Sequence, residues 1–175
     1  PVNGSAPVDE ARLTKDAEEL DALRQSSRIN DRLTGMLPGS LGAGQTERAV
    51  ARRYADLAAN SEASESGFAL VIFGANCAEP HHASDDTPLK SGDAVIMDVG
   101  VDYQHYQSDM TRTVFFGGVT DEQRRVYDLV RAAGDAARRA VRPGAPLSEI
   151  DRAARGVIEE GGYGAQFIHR TGHGI

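Results

Sequence analysis

Two aspartates on neighbouring predicted strands are the residues best suited to chemistry in this sequence. Asp98 interrupts the apolar run 94–97 and stands at the end of a predicted buried strand. A carboxylate in that position is costly unless it is paired, hydrogen-bonded or bound to a metal. Asp109 lies in the next predicted strand. Considered one at a time, Asp98 could equally start a turn before Gly100, and Asp109 could form an ion pair with Arg112.

The turn between these strands decides whether the two aspartates meet. If the turn is centred between Tyr103 and Gln104, Asp98 and Asp109 lie directly opposite each other in an antiparallel pair. Like charges in that arrangement destabilise a sheet. A hard divalent cation between them would remove the repulsion and use both carboxylates as oxygen ligands. This register therefore predicts a cation site, which a change of one residue in the turn would remove.

Histidines supply further candidate ligands and proton carriers. The glycines that flank His173 leave its imidazole room to reach a metal, although a histidine between glycines is more often a loop residue. His169 precedes it by four positions. His81 and His82 follow a proline in a long predicted loop, where an exposed pair is the simpler interpretation. Thiol catalysis by Cys77 is disfavoured, because no Asn or Asp is placed to orient a partner histidine and cysteine is commonly buried.

Hydrophobic spacing and turn residues predict the elements that position these side chains. Three strands are expected over 68–73, 94–99 and 106–116. Four helices are expected, each with its capping residue at the start: Thr14, Thr46, Thr120 and Ser148. The order helix, Pro-Gly, helix occurs twice. If this repeat is real, the chain comprises two similar α+β halves, and most strands of the second half lie beyond residue 175.

Composition limits the class of protein. The chain has 175 residues, of which 40% are hydrophobic and 26% charged, as in a globular domain able to bury a core. A net charge of −7 argues against a nucleic-acid partner, which needs clustered Lys and Arg. No apolar run approaches the roughly 20 residues of a membrane helix. A single cysteine and the lack of a signal-peptide pattern predict a cytoplasmic protein.

Four segments, in this order, resemble the catalytic domain of the pita-bread metallopeptidases: Asn-Cys-Ala-Glu-Pro-His-His at 76–82, Gly-Asp-Ala-Val-Ile-Met-Asp-Val-Gly at 92–100, Ser-Asp-Met-Thr-Arg-Thr at 108–113 and His-Arg-Thr-Gly-His-Gly-Ile at 169–175. That family comprises Xaa-Pro dipeptidases (prolidases), aminopeptidase P, methionine aminopeptidases and creatinases. The Pro-His-His segment resembles the proline-peptide branch. The resemblance implies an α+β pita-bread fold with a pseudo-twofold repeat of helices packed on a mostly antiparallel curved sheet, here incomplete.

The resemblance also implies a domain organisation. It begins at about Thr14, so residues 1–13 are expected to be a linker from a missing N-terminal domain. Residues 14–175 are expected to be the N-terminal portion of the catalytic domain.

A dinuclear metal centre follows from the same resemblance. Asp98 would bind one metal, Asp109 would bridge both, and His173 would bind the second. Two Glu ligands that complete the set in relatives have no counterpart in this chain. Thr111 would support Asp109 from outside the ligand set.

Two histidines have catalytic roles in this family. By the resemblance, His81 would contact substrate and assist proton transfer near the scissile bond, and His169 would line the substrate pocket. The implied reaction is hydrolysis of peptide bonds preceding or involving proline by a hydroxide bound to two metals. Mn²⁺ is the favoured metal, with Co²⁺ or Zn²⁺ as alternatives.

The expected substrate is a short peptide with proline at the second position, and the full-length protein is expected to be a homodimer with no nucleic-acid or membrane partner. Two alternatives stay open: a creatinase-like amidinohydrolase, and a non-catalytic pseudo-peptidase that binds peptides. With three of five ligands, the 175-residue chain itself is expected to bind metal weakly and to lack peptidase activity.

Overall fold

A computed structural model describes residues 5–63 and 65–174 of the chain. It divides into two compact units, with the boundary between Gly118 and Val119. The first unit contains three helices and four strands: α1 (Ser5–Leu13), α2 (Ala17–Met36), α3 (Glu47–Ala59), β1 (Glu65–Phe73), β2 (Ala94–Tyr103), β3 (Tyr106–Gln107) and β4 (Met110–Phe115). The second unit contains α4 (Asp121–Ala140) and α5 (Leu147–Glu160). The α+β class is confirmed.

The start of three helices differs from the prediction. Helix α1 (Ser5–Leu13) occupies a segment in which the composition indicated no regular element. Helix α2 is capped by Asp16 instead of Thr14, and α5 follows Pro146 instead of Ser148. None of the helices that the structure describes combines the length and the apolar character that a membrane span requires.

The sheet of the first unit is antiparallel, with β2 at its centre. Strand β1 pairs with one edge of β2, and both β3 and β4 pair with the other. A two-residue turn, Gln104 and His105, joins β2 to β3, and both residues have positive φ angles (52° and 71°). Two positive φ angles give a hairpin turn the twist of its flanking strands. The turn is therefore centred one residue later than predicted.

This turn corrects the predicted register. Asp98 pairs with Thr111, and Val99 pairs with Met110. The predicted pairing of Asp98 directly opposite Asp109 is wrong, because moving the centre of the turn by one residue shifts every partner by two.

The predicted third strand is divided at Ser108 and Asp109, between β3 and β4. Across from this break, a Cβ atom on Gly100 would lie 2.3 Å from the Ser108 carbonyl oxygen and 2.5 Å from Cε1 of Phe68. A side chain does not fit there, so glycine is required. The Ser108 amide donates to the carbonyl oxygen of Val101 at 2.9 Å, which keeps the divided strand attached to β2.

Polar side chains of α2 and α3, the first helical pair, hold α2 against β2 next to Asp98. The Asn30 amide donates to the Val99 carbonyl at 2.9 Å, and the Ser26 hydroxyl donates to the Val101 carbonyl at 3.0 Å. The Tyr54 hydroxyl of α3 donates to Asn30 Oδ1 at 2.7 Å. Burial raises the pKa of Tyr54. These bonds surround a core built from α2, α3 and the sheet, whose largest buried residues include Ile29, Leu37, Val50, Phe73 and Met97.

The second unit is a helical hairpin. Thr120 and Gln123 form the predicted capping box at the start of α4. Its core consists of small residues and one isoleucine: Ala133, Ala137, Ala154 and Ile158. At Gly161 a Cβ atom would lie 2.3 Å from Leu129 Cδ2, so glycine lets the end of α5 approach α4 closely.

Candidate functional site

Asp98 is half-buried in the middle of the sheet. It lies on β2 between Leu70 of β1 and Thr111 of β4. The Thr111 hydroxyl donates to Asp98 Oδ1 at 2.6 Å, which orients the carboxylate. The resemblance implied that Thr111 supports Asp109, but its hydroxyl donates to Asp98 because the register places Thr111 opposite Asp98.

Asp109 is exposed at the break between β3 and β4, two positions before Thr111. In a regular strand, residues two apart share a face. The regular pairing of β2 with β4 starts at Met110 opposite Val99, so Asp109 lies one position outside it. If the chain continued that register, Asp98 and Asp109 would be diagonal neighbours, for which the Cα atoms of regular strands are roughly 7–8 Å apart. Arg112, the partner suggested for Asp109 in the alternative interpretation, forms an ion pair with Asp31 at 3.3 Å.

The two histidines of the Gly-rich segment lie in the second unit. Both His169 and His173 are exposed. Nδ1 of His169 lies 3.2 Å from the carbonyl oxygen of Arg170, and Nδ1 of His173 lies 3.0 Å from that of Gly174. The third predicted ligand therefore belongs to a different unit from the two aspartates.

An ion pair on α5, which the sequence did not predict, binds the backbone of residues 167–171. Arg155 bonds Asp151 at 3.0 Å and donates at 2.8 Å to the carbonyl oxygens of Phe167 and His169. Asp151 in turn accepts from the Thr171 amide at 2.9 Å. The bonds from Arg155 and Thr171 hold the pKa of Asp151 below its ordinary value. An Asp four residues before an Arg on a helix was the available signal, but such pairs are common on helix surfaces.

His81 is exposed and adopts a left-handed backbone conformation, with φ at 60°. It belongs to a turn closed by the His82 amide, which donates to the Glu79 carbonyl at 3.2 Å. Left-handed conformations of residues other than glycine are held in place by their surroundings and are concentrated at functional sites.

A cluster of side chains able to hold a metal ion lies beside His81 and was not predicted. It consists of Glu47, His82 and Asp85, whose ligand atoms all lie within 4.8 Å of one another. Glu47, the first residue of α3, is fully buried. Its carboxylate accepts from the Phe73 amide at 2.7 Å, the Asn76 side chain at 3.0 Å and the Asp85 amide at 3.0 Å.

Three carboxylates surround the imidazole of His82. Nε2 lies 3.2 Å from Glu47 Oε2 and 3.6 Å from Asp85 Oδ2, and Nδ1 lies 3.2 Å from Glu79 Oε2. Burial disfavours the charged ring, but the hydrogen bond that the ring donates to Glu79 and the charges of all three carboxylates outweigh it and raise the pKa of His82. The cluster thus attracts positive charge.

The environment of Cys77 agrees with the expectation that its thiol is not a nucleophile. The side chain is half-buried, and Sγ lies 3.4 Å from the Ile72 carbonyl and 3.5 Å from the Ala94 carbonyl. Burial raises the pKa of the thiol, so the reactive thiolate is disfavoured.

Comparison with known families and proteins supports the resemblance noted in the sequence. The model of metallopeptidase family M24 matches residues 21–175. An uncharacterized peptidase of Staphylococcus aureus is 37% identical over 179 residues, which cover 99% of this chain and 51% of that protein.

Solved structures of peptidases are also similar to this chain. Dipeptidase PepE from Mycobacterium ulcerans superimposes with a TM-score of 0.95 at 37% identity, covering all of this chain and 47% of that one. Prolidase from Pyrococcus furiosus superimposes with a TM-score of 0.93 at 34% identity, covering 96% and 50%. The predicted pita-bread fold is confirmed, and the chain spans about half the length of the proteins it matches.

Proposed function

Because this chain belongs to metallopeptidase family M24, we propose that it supplies part of the active site of a metal-dependent exopeptidase acting on short peptides with proline at the second position. Support comes from its similarity to a prolidase and a dipeptidase. The single observation that carries the proposal is the half-buried carboxylate of Asp98 on the central strand, which accepts a hydrogen bond from the Thr111 hydroxyl.

Asp98, Asp109 and His173 are the proposed metal ligands of this chain, with Asp109 bridging two ions. Two carboxylates and one imidazole suit Mn²⁺, Co²⁺ or Zn²⁺, so the donor set fits the group that the family requires. When bound, divalent cations lower the pKa of a coordinated water and polarise a peptide carbonyl.

The remaining residues would bind the substrate and move protons. The imidazole of His81, which is exposed and follows a left-handed backbone conformation, would pass a proton to the departing amide nitrogen. His169 would contact the peptide, and the bond from Arg155 to its carbonyl oxygen fixes the backbone from which the ring projects. The hydroxyl of Thr111 would keep Asp98 turned towards its metal.

The test is made in the full-length protein, with metal content and hydrolysis of an Xaa-Pro dipeptide measured on the same preparations. Asp109→Asn should remove metal and activity together, because a neutral amide is a poor bridge between cations. His81→Ala should retain metal but lower kcat by about 100-fold or more, the usual contribution of a positioned proton carrier. Asp9→Asn, at an exposed residue of α1, is the matched control and should change neither quantity.

Unchanged metal content in Asp109→Asn would contradict the bridging assignment. An Xaa-Ala dipeptide, measured in parallel, tests proline specificity: equal rates for both peptides would remove that part of the proposal. Hydrolysis of creatine in preference to either peptide would favour the amidinohydrolase alternative.

A further inference from the structure

We propose that Glu47, His82 and Asp85 bind a transition-metal ion of the Zn²⁺ type, at a site made of residues other than the proposed catalytic ligands. All three belong to the first unit. Glu47 begins α3, and the other two lie in the loop that carries His81. The proposal does not depend on the peptidase function.

The protonation of His82 provides the first argument. Glu79 Oε2 lies 3.2 Å from Nδ1, and an ionised carboxylate only accepts hydrogen bonds, so Nδ1 carries the hydrogen of the neutral ring. Nε2 then presents a lone pair to carboxylate oxygens of Glu47 and Asp85. Nε2 is buried and has no hydrogen-bond partner among the residues that the structure describes. Three electron-rich atoms facing one another are stabilised by a positive charge between them, which either a metal ion or a second proton on the ring supplies.

The distances provide the second argument. Metal–ligand bonds of about 2.0–2.2 Å in a tetrahedral zinc site place neighbouring ligand atoms roughly 3.3–3.6 Å apart. Nε2 of His82 lies 3.2 Å from Glu47 Oε2 and 3.6 Å from Asp85 Oδ2. These separations match two edges of such a tetrahedron. A water molecule would complete the fourth position.

The surroundings of the three ligands are already ordered for binding. Glu79 on Nδ1 of His82 is the carboxylate that metal-bound histidines commonly hold on their other nitrogen. Glu47 is fixed by donors from Phe73, Asn76 and Asp85, so its carboxylate needs no reorganisation. A bound ion would tie the start of α3 to the loop and thereby hold His81 in its left-handed conformation.

The experiment uses the 175-residue chain carrying Asp98→Asn and Asp109→Asn, which disables the proposed catalytic carboxylates. After removal of metal with a chelator, the protein is titrated with Zn²⁺ by calorimetry and with Co²⁺ by visible absorption. We expect one equivalent of either ion, with the intense Co²⁺ absorption of tetrahedral coordination. Adding Glu79→Gln should weaken affinity by roughly 10–100-fold, as loss of an outer partner does. Adding His82→Ala should weaken it further.

His105→Ala, made in the same background at an exposed histidine of the first unit, is the matched control and should leave the affinity unchanged. The proposal is overturned if His82→Ala binds Zn²⁺ as tightly as the background protein. It is also overturned if the background protein itself binds no Zn²⁺, a result that would mean a second proton on the ring holds His82 in place. Far-UV circular dichroism confirms folding, and the exposed Glu79 provides a second measurement if His82→Ala does not fold. Because activity is not measured, failure here leaves the Asp109→Asn test intact.

Discussion

The two helical pairs of this chain have nearly equal lengths but bury different kinds of side chain. Helices α2 and α3 have 20 and 13 residues, and α4 and α5 have 20 and 14. The first pair packs on the sheet through large residues such as Ile29 and Tyr54. The second pair is held together mainly by alanines, with Ile158 as its one large buried residue among those described.

The exposed residues of the second unit explain this difference. Val130, Leu147 and Ile168 are 56%, 82% and 74% exposed, and the described part of this unit contains no strand to cover them. Small residues let two helices approach each other closely, whereas large ones need a wide apolar surface such as a sheet. The two pairs therefore have similar helix lengths, and the sheet of the first unit gives its pair the larger core.

The comparison predicts its largest effect on stability in the core of the first unit. Ile29→Ala should lower the free energy of unfolding by about 2–5 kcal/mol, because it leaves a cavity between α2 and the sheet. Val130→Ala, at an exposed position of α4, is the control and should change stability by at most about 0.5 kcal/mol. Urea denaturation measures both. Similar losses in the two variants would show that the units do not differ in this way.

A smaller effect is expected from the polar contacts. The buried polar residues that the structure describes all lie in the first unit. Tyr54→Phe should cost about 0.5–1.5 kcal/mol, because Asn30 loses one donor and keeps a second from Thr34 at 2.9 Å. Tyr127→Phe, at an exposed residue of the second unit, is the matched control. A loss above about 3 kcal/mol would indicate that the Tyr54 hydroxyl supports more than this bond.

The smallest effect concerns pH and the second unit. The folded pKa of Asp151 is depressed, so its stabilising bonds are fully present above the ordinary value near 3.8 and are lost as pH falls through the folded pKa. Acidification from the ordinary value of 3.8 down through the depressed pKa of Asp151 should therefore release residues 167–171. Hydrogen exchange at the Thr171 amide measures this release. In Asp151→Asn the protection should be low at all pH values, and protection equal to that of the unaltered chain would contradict the role of Asp151.

Hydrophobic spacing predicted α2 to α5 and the central strands but not α1, and it placed the hairpin turn one residue too early. The reason is local: Gln104 and His105 adopt positive φ angles that usually indicate Gly or Asn, so neither residue signalled the turn. The predicted proximity of Asp98 and Asp109 stays a prediction, because Asp109 lies in the break between β3 and β4, outside the regular pairing with β2.

The cluster around His82 could not be predicted in the same way. Glu47 follows the capping residue Thr46, where an acidic residue is expected at the surface of a helix end. Its burial depends on the loop that folds over it, through the bonds to Asn76 and Asp85. Contacts between residues so distant in sequence leave no periodic pattern.

The two-residue turn at Gln104 and His105 determines which residues of β2 and β4 lie opposite each other. Because alternate residues of a strand face opposite sides, one inserted residue would send both Asp109 and Thr111 to the far side of the sheet from Asp98. The length of this short exposed hairpin thus determines on which side of the sheet each acidic side chain lies. Substitutions in this loop are tolerable wherever the backbone angles are kept, whereas insertions and deletions are not.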